Sequence, residues 1–256
     1  QARDQHPATG NRRLLAEVNA LDRRRARLVP SLVVAPSMLY EPDSVRELVE
    51  ALRSGQAAAL RVFPATLRHK LRHLEPLFKR VSDYAPLVLL DVRETTDEAD
   101  LLAFAETFPS LRIVCMHGMW PHLFGFSLLD VMRRRPNVLV DTSWHHTQGT
   151  LEMIVREFGE DRVVFATGLR SHNGAAIGGL LHARISSDVR EAIAHRTLDG
   201  LLGLSPTQAQ ADLDQPGSRN ALWQNFRNRR GLDVPVVDAH GHLGALGIWP
   251  REGREQ

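Results

Sequence analysis

The sequence predicts an α/β fold built on a parallel sheet, and three observations predict it. Short apolar runs alternate with amphipathic segments along most of the chain. Each run is apolar almost throughout, as strands covered on both faces are. The units recur about every 25–30 residues with short connections, roughly the size of one βα unit in a (β/α)8 barrel.

The strand-like runs are Arg27 to Ala35, Ala57 to Phe63, Pro86 to Val92, Leu111 to His117, Asn137 to Thr142 and Arg162 to Thr167. Between them, Asp43 to Leu52, Leu67 to Val81, Asp97 to Phe108, Ser127 to Arg134 and Thr150 to Phe158 read as amphipathic helices. Asp97 stands where an N-cap is needed, and Pro109 follows the end of that helix. Ser186 to His195 reads as a further helix within Ser171 to Gly203. Gly174, Gly178 and Gly179 match neither a Walker phosphate loop nor a dinucleotide loop, and suit close helix packing instead. From Leu204 to Val234 the texture changes to Pro206, Pro216-Gly217 and an Asn/Arg segment, a linker with a short polar helix around Arg219 to Arg230. Val234 to Ala239 then gives a seventh strand. Seven strands do not close an eight-stranded barrel, so the predicted barrel is incomplete.

Composition narrows the function classes. With 43% hydrophobic and 24% charged residues, the chain matches an ordinary soluble globular protein. Lys70 and Lys79 are the only lysines, and the basic runs Arg23-Arg24-Arg25, Arg133-Arg134-Arg135 and Arg229-Arg230 are scattered among acids. Such runs fit solvated helix faces rather than a nucleic-acid surface. No stretch has the apolar length of a membrane span and no signal peptide is visible, so a cytoplasmic protein without a membrane partner is expected. The single cysteine, Cys115, sits inside an apolar run and reads as a buried structural thiol. The chain opens on Gln1 rather than Met, and the expectation is a processed chain or a piece of a longer one.

One motif carries chemistry on its face: Asp238-Ala239-His240-Gly241-His242, at the tip of the seventh run. Side chains two apart on a strand point to the same side, so His240 and His242 can grip one divalent metal, with Asp238 orienting the strand or the metal's surroundings. His117 stands before Gly118 at the end of the fourth run, the end of a barrel strand where active sites lie. Asp91 and Glu94, after the third run, could act as oxygen ligands or an acid/base pair, or could simply cap a helix or form salt bridges. Asp141 ends the fifth run beside Thr142-Ser143-Trp144-His145-His146. His145 and His146 are adjacent and point apart in an extended segment, so one of them at most faces a given site. No G-x-S-x-G elbow supports a serine nucleophile.

Several of these segments together resemble the amidohydrolase-related family of metal-dependent hydrolases and decarboxylases. Asn11-Arg12-Arg13-Leu14-Leu15 through Val29-Pro30 resembles the family's approach to its third strand, and Ala59 to Pro64 its fourth. Phe108 to Gly118 resembles the sixth strand with its terminal histidine, Asn137 to Ser143 the seventh, and Glu157 to Gly168 the eighth. Ile185 through Leu204 resembles the closing helix. The resemblance implies a TIM barrel in which residues 11–204 supply strands three to eight, with the first two strands ahead of residue 1. It divides the chain into a barrel domain (1–204), a linker (205–233) and the start of a second amidohydrolase-like barrel (234–256). A circular permutation, with the HxH strand closing the first barrel, is the rival arrangement.

In this family the metal is held by the HxH pair, a fifth-strand ligand, the sixth-strand histidine and an eighth-strand aspartate that also activates water. Here the eighth strand ends Phe165-Ala166-Thr167-Gly168, resembling a branch that ends FGTG, so glycine replaces the aspartate. The fifth strand ends Leu90-Asp91-Val92-Arg93-Glu94 without histidine, and neither lysine ends a strand to bridge two metals. The resemblance implies His240 and His242 as metal ligands, and His117, Asp91 and Asp141 as catalytic candidates. It implies His145, Arg170 and His172 as contacts for a small-molecule substrate. It also implies one divalent metal, zinc first, in the second module if residues 1–204 hold none, and allows a homo-oligomer or a tandem barrel partner. The expected activity is hydrolysis of a small carboxylate or amide by metal-activated water. The alternatives are a catalytically degenerate, metal-poor barrel serving as structural or ligand-binding partner of a catalytic module, and a metal-dependent decarboxylase.

Overall fold

The computed structural model describes residues 6–20, 28–94, 97–117, 125–144, 149–168 and 173–204, with Gln224, Asn225 and Asn228 beyond them. The chain divides into two compact units, Gln1–Gln208 and Ala209–Gln256, and the fold that follows is that of the first. The HxH strand lies outside the described residues. So does the polar helix of 219–230, apart from a turn in which Asn228 N–H donates to the Gln224 carbonyl.

Six strands run parallel, in chain order, in one sheet: β1 (Ser31–Val34), β2 (Ala59–Val62), β3 (Leu87–Asp91), β4 (Ile113–Met116), β5 (Val138–Asp141) and β6 (Val163–Val164). Each lies within one of the apolar runs. The runs overshoot the strands because flanking residues such as Ala57, Phe63 and Val92 are buried without joining the ladder. The register aligns Val33, Arg61, Leu89, Val114 and Leu139 in one row, and Val34, Val62, Leu90, Cys115 and Val140 in the next. Adjacent rows face opposite sides of the sheet. The second row belongs to the main core, together with Leu48, Phe78, Phe104, Met132 and Ile154 from the helices. On the other side a smaller cluster of Ala59, Leu87, Val114, Leu139 and Val164 forms the inner face. This is the layering of a partial (β/α) barrel. Cys115 is fully buried in the outer row, and desolvation pushes its thiol far up in pKa, which fits a structural thiol.

The helices are α1 (Pro7–Ala20), α2 (Ser44–Arg53), α3 (Glu75–Val81), α4 (Glu98–Thr107), α5 (Gly125–Arg134), α6 (Thr150–Phe158), α7 (Asn173–His182), α8 (Ser187–Glu191) and α9 (Thr197–Leu201). Asp97 caps α4 by accepting the Ala99 N–H at 3.0 Å. Two expectations need correction. The helix expected over Leu67 to Val81 begins only at Leu71, with a 3-10 turn over Leu71–Leu74 ahead of α3. The residues before it form a turn closed by Leu67 N–H to Phe63 O and His69 N–H to Pro64 O. The glycines of 174–179 lie in helix α7, and the correction concerns Gly174 alone, where a Cβ would meet nothing within 4 Å, so close packing does not require glycine at that position.

The C-terminal helix runs past His195 to Leu201 through a π-helical stretch, Ala192–Arg196. A π turn leaves carbonyls outside the α-helical ladder. The Ile193 carbonyl accepts the Phe165 N–H at 3.1 Å, just past β6. Leu198, Leu201 and Leu202 then pack on the inner-face cluster.

At the other end of the sheet, α1 supplies what a neighbouring strand would. The Asn11 amide donates to the Val33 carbonyl at 2.8 Å and accepts the Val33 N–H at 2.9 Å, a two-bond clasp on the β1 backbone. Both bonds are buried. Asn11→Ala orphans a strand donor and acceptor together, and is expected to cost about 1–2 kcal/mol in urea unfolding. Asn11→Asp should restore only the acceptor half. Among the described residues no helix is long and apolar enough to cross a membrane.

Candidate functional site

The alternation that builds the inner face also builds the site. Leu87, Leu89 and Asp91 share one side of β3, and Leu139 and Asp141 share one side of β5, so both aspartates end inner rows at the C-terminal rim. Between them, directly after β4, comes His117. Each aspartate turns its chain off the strand by accepting an N–H two residues on. Asp91 Oδ1 takes Arg93 N–H at 2.9 Å, and Asp141 Oδ1 takes Ser143 N–H at 3.2 Å.

Asp91 is the hub of the exposed half of the cluster. Arg93 Nε donates to Oδ1 at 3.0 Å and Nη2 to Oδ2 at 2.6 Å, a forked pair. His117 Nδ1 lies 3.0 Å from Oδ2. That contact requires the proton on Nδ1, so the 3.4 Å approach of Arg93 Nη2 to the same nitrogen sets two donors side by side on one oxygen. Burial disfavours the Asp91 carboxylate, but hydrogen bonds from His117 and Arg93 outweigh it and hold the group well below the usual carboxylate range. The arrangement fixes the His117 ring and leaves Nε2 as its open nitrogen.

Asp141 holds the backbone of the same histidine. Its Oδ1 accepts His117 N–H at 2.9 Å and the Ser143 hydroxyl at 2.7 Å, and the Ser143 Oγ also receives His117 N–H at 3.2 Å. These bonds keep His117 at φ 62 and Trp144 follows at φ 60, both in the left-handed region that side chains avoid. The Trp144 ring meets the His117 ring edge-on at 5.9 Å, and the Arg93 guanidinium lies 5.9 Å from the Trp144 ring. Burial pushes the Asp141 carboxyl up to about 6, against the downward pull of Ser143 and His117.

Gly168, where the family pattern has its eighth-strand aspartate, faces this assembly. It adopts φ +70, and a Cβ built there would lie 3.2 Å from Ser143 Cβ, 3.2 Å from Trp144 Cδ1 and 3.3 Å from Trp144 Nε1. The glycine therefore satisfies a left-handed backbone and makes room for Trp144. An aspartate would need both to change.

The structure thus unites three of the predicted residues, Asp91, His117 and Asp141. It gives Glu94 a scaffold role, accepting the Thr66 N–H and hydroxyl at 2.7 Å each. His145, Arg170, His172, His240 and His242 lie outside the described residues. Sequence reasoning missed Arg93, Ser143 and Trp144. The signal available was a strand-ending aspartate with a polar residue two places on, present at both 91–93 and 141–143.

A metal centre is a matter of donor sets. His117 offers Nε2 alone, Asp91 is engaged by arginine and histidine, and the eighth-strand position has no side chain. Among the described residues, no group of three or more His, Cys, Asp or Glu side chains could hold a metal ion. These residues by themselves do not fit the metal the resemblance implies.

Solved structures share the fold at low identity. A 5-carboxyvanillate decarboxylase, LigW from Sphingomonas paucimobilis, is 16% identical over 80% of this chain and 76% of its own, with a TM-score of 0.59. A dihydroxybenzoic acid decarboxylase from Polaromonas sp. JS666, with bound manganese and 2-nitroresorcinol, is 15% identical over 80% and 77%, with a TM-score of 0.57. A 2,6-dihydroxybenzoate decarboxylase complexed with 2,6-dihydroxybenzoate is 16% identical over 77% and 76%, with a TM-score of 0.55. Manganese is the metal named here, and nothing in these likenesses singles out zinc. No curated protein matches the chain. The amidohydrolase 2 model matches residues 2–197, and the chain belongs to that amidohydrolase family.

Proposed function

We propose that the barrel of residues 6–204 is a degenerate relative of the aromatic-acid decarboxylases, binding a small aromatic carboxylate without metal chemistry of its own. Gly168 carries this reading. In place of a carboxylate ligand and base stands a left-handed glycine packed against Ser143 and Trp144. General-base help is worth about 10²–10⁴ in rate, so its loss is severe. What remains suits binding: the Arg93 cation, the Trp144 ring and the His117 imidazole sit together on the rim. A carboxylate and an aromatic ring are the groups these side chains recognise.

A second reading is a metal-dependent decarboxylase, favoured by neighbours whose structures carry manganese with the inhibitor 2-nitroresorcinol or a hydroxynitrobenzoic acid. That reading needs metal ligands beyond those of this rim, and the candidates His240 and His242 lie outside the described residues. Amide hydrolysis gains no support from these neighbours, and decarboxylation replaces it as the catalytic alternative.

Metal analysis after dialysis against manganese and zinc decides between the readings. The degenerate barrel predicts no stoichiometric metal that depends on His117. Metal lost on His117→Ala, with turnover of a hydroxybenzoate, would establish the decarboxylase instead. Gly168→Asp is expected to destabilise the chain by about 1–2 kcal/mol in urea unfolding and to gain no metal affinity. A stable, metal-binding G168D would sink the degenerate reading.

A further inference from the structure

We propose that a cleft at the C-terminal ends of β1 and β2 is a second binding site, for a small organic anion with an apolar or aromatic body. It is independent of the reading above and shares none of the Asp91–His117 residues. The cleft has a volume of about 640 Å³, within the size of small-molecule sites. The loop after β1 contributes Leu39 and Tyr40, and the segment after β2 contributes Arg68, His69, Arg72 and His73.

Its charge is one-sided. Among the described residues no carboxylate lines the cleft, while two guanidiniums and two imidazoles do. The nearby acids are engaged elsewhere. Glu94 binds the Thr66 N–H and hydroxyl, and Asp100 accepts the Leu71 N–H at 2.6 Å and the Arg72 N–H at 3.4 Å. Asp97 lies 3.7 Å from Lys70, and Glu41 is held by His6 and Ser44. Among the described residues neither Arg68 nor Arg72 has a carboxylate within salt-bridge distance, in a chain where many other arginines do.

The loop is built rather than loose. The Glu94 and Asp100 bonds pin it from the β3–α4 side, and Arg68 is held at φ 53. His69 Nδ1 lies 3.1 Å from the Lys70 carbonyl and so carries its proton, leaving Nε2 as an acceptor. That Nε2 is buried with no hydrogen-bond partner among the described residues. His73 Nδ1 accepts the Lys70 N–H at 3.3 Å, which leaves its Nε2–H as a donor. Tyr40, 87% exposed, stands at the cleft and offers its ring to a ligand. Two unpaired cations, an imidazole donor and an apolar wall together match an anionic head on an apolar body.

Calorimetric titration of the full chain with 4-hydroxybenzoate and phenyl phosphate at neutral pH, with benzyl alcohol as the uncharged control, tests this. Arg68→Asn, which tolerates the left-handed backbone, is combined with Arg72→Gln; both side chains are exposed, so folding should survive. Saturable binding of at least one anion is expected, weakened at least tenfold in the double variant and within twofold of wild type in Arg53→Gln, an exposed arginine outside both sites. Benzyl alcohol should bind at least tenfold more weakly than the anions. Unchanged affinity in the double variant, equal affinity for the alcohol, or no saturable anion binding overturns the proposal. Loss of binding in Arg93→Gln alone places the anion on the Asp91–His117 rim, which supports the proposed function and overturns this second site.

Discussion

Asp91→Ala is expected to destabilise the chain by about 1–3 kcal/mol in urea unfolding at pH 7, the range for leaving a buried hydrogen-bonding group without its partner. The Asp91 side chain is 7% exposed and accepts from Arg93 N–H, Nε and Nη2 and from His117 Nδ1. Removing it strands those donors unequally. Arg93, 43% exposed, can turn its guanidinium to water, so its share is discounted. His117, 9% exposed, cannot, and its Nδ1–H is left without an acceptor in a ring held by Trp144. Asp91→Asn separates shape from charge: it keeps one acceptor oxygen and should lose about half as much. Because the folded-state pKa of Asp91 is depressed, this stability is fully present above the ordinary carboxylate pKa of 3.8 and is lost as acid protonates the group. A loss under 1 kcal/mol for Asp91→Ala would show that the cluster is held by its backbone bonds alone.

The same residues show what a sequence can carry. The six strands were legible because strands buried on both faces read as unbroken apolar runs. That Asp91, His117 and Asp141 come together was legible because they end adjacent parallel strands, and such a sheet brings strand ends to one rim. Local chemistry also survives translation, as at Asp97, whose cap depends only on the residues beside it. What failed to show is tertiary. Helix α1 is placed by Asn11 reaching 22 residues along the chain to Val33, and nothing near Asn11 announces that bond. The π-helical stretch brings the Ile193 carbonyl to the Phe165 N–H past the end of β6, a contact that no local pattern announces. The replacement at Gly168 was visible as a missing aspartate, yet its physical reason, the room taken by Trp144, appears only once residues from two loops are packed together.

Asp141 makes the opposite kind of prediction, a group that costs stability when charged. Burial raises its pKa from 3.8 to about 6, so the folded state holds the proton more tightly than the unfolded chain does. Stability therefore falls as pH rises between those two values, and the penalty is complete above the upper one. At about 1.4 kcal/mol per pH unit the full penalty is roughly 3 kcal/mol. Asp141→Asn cannot ionise, and its amide oxygen still accepts the His117 and Ser143 N–H groups. Relative to wild type it should gain about 2 kcal/mol between pH 4.5 and 7.5, read from urea unfolding at each pH. The competing expectation is that the three donors on Oδ1 stabilise the carboxylate outright, so that its removal harms the fold most at high pH. Burial decides against it, because a carboxylate cut off from water loses more solvation than three neutral donors return. A wild-type minus variant difference that stays flat with pH, or that grows in favour of wild type toward pH 7.5, would mean that Asp141 is ionised in the folded chain and that its hydrogen bonds, not its burial, set its charge.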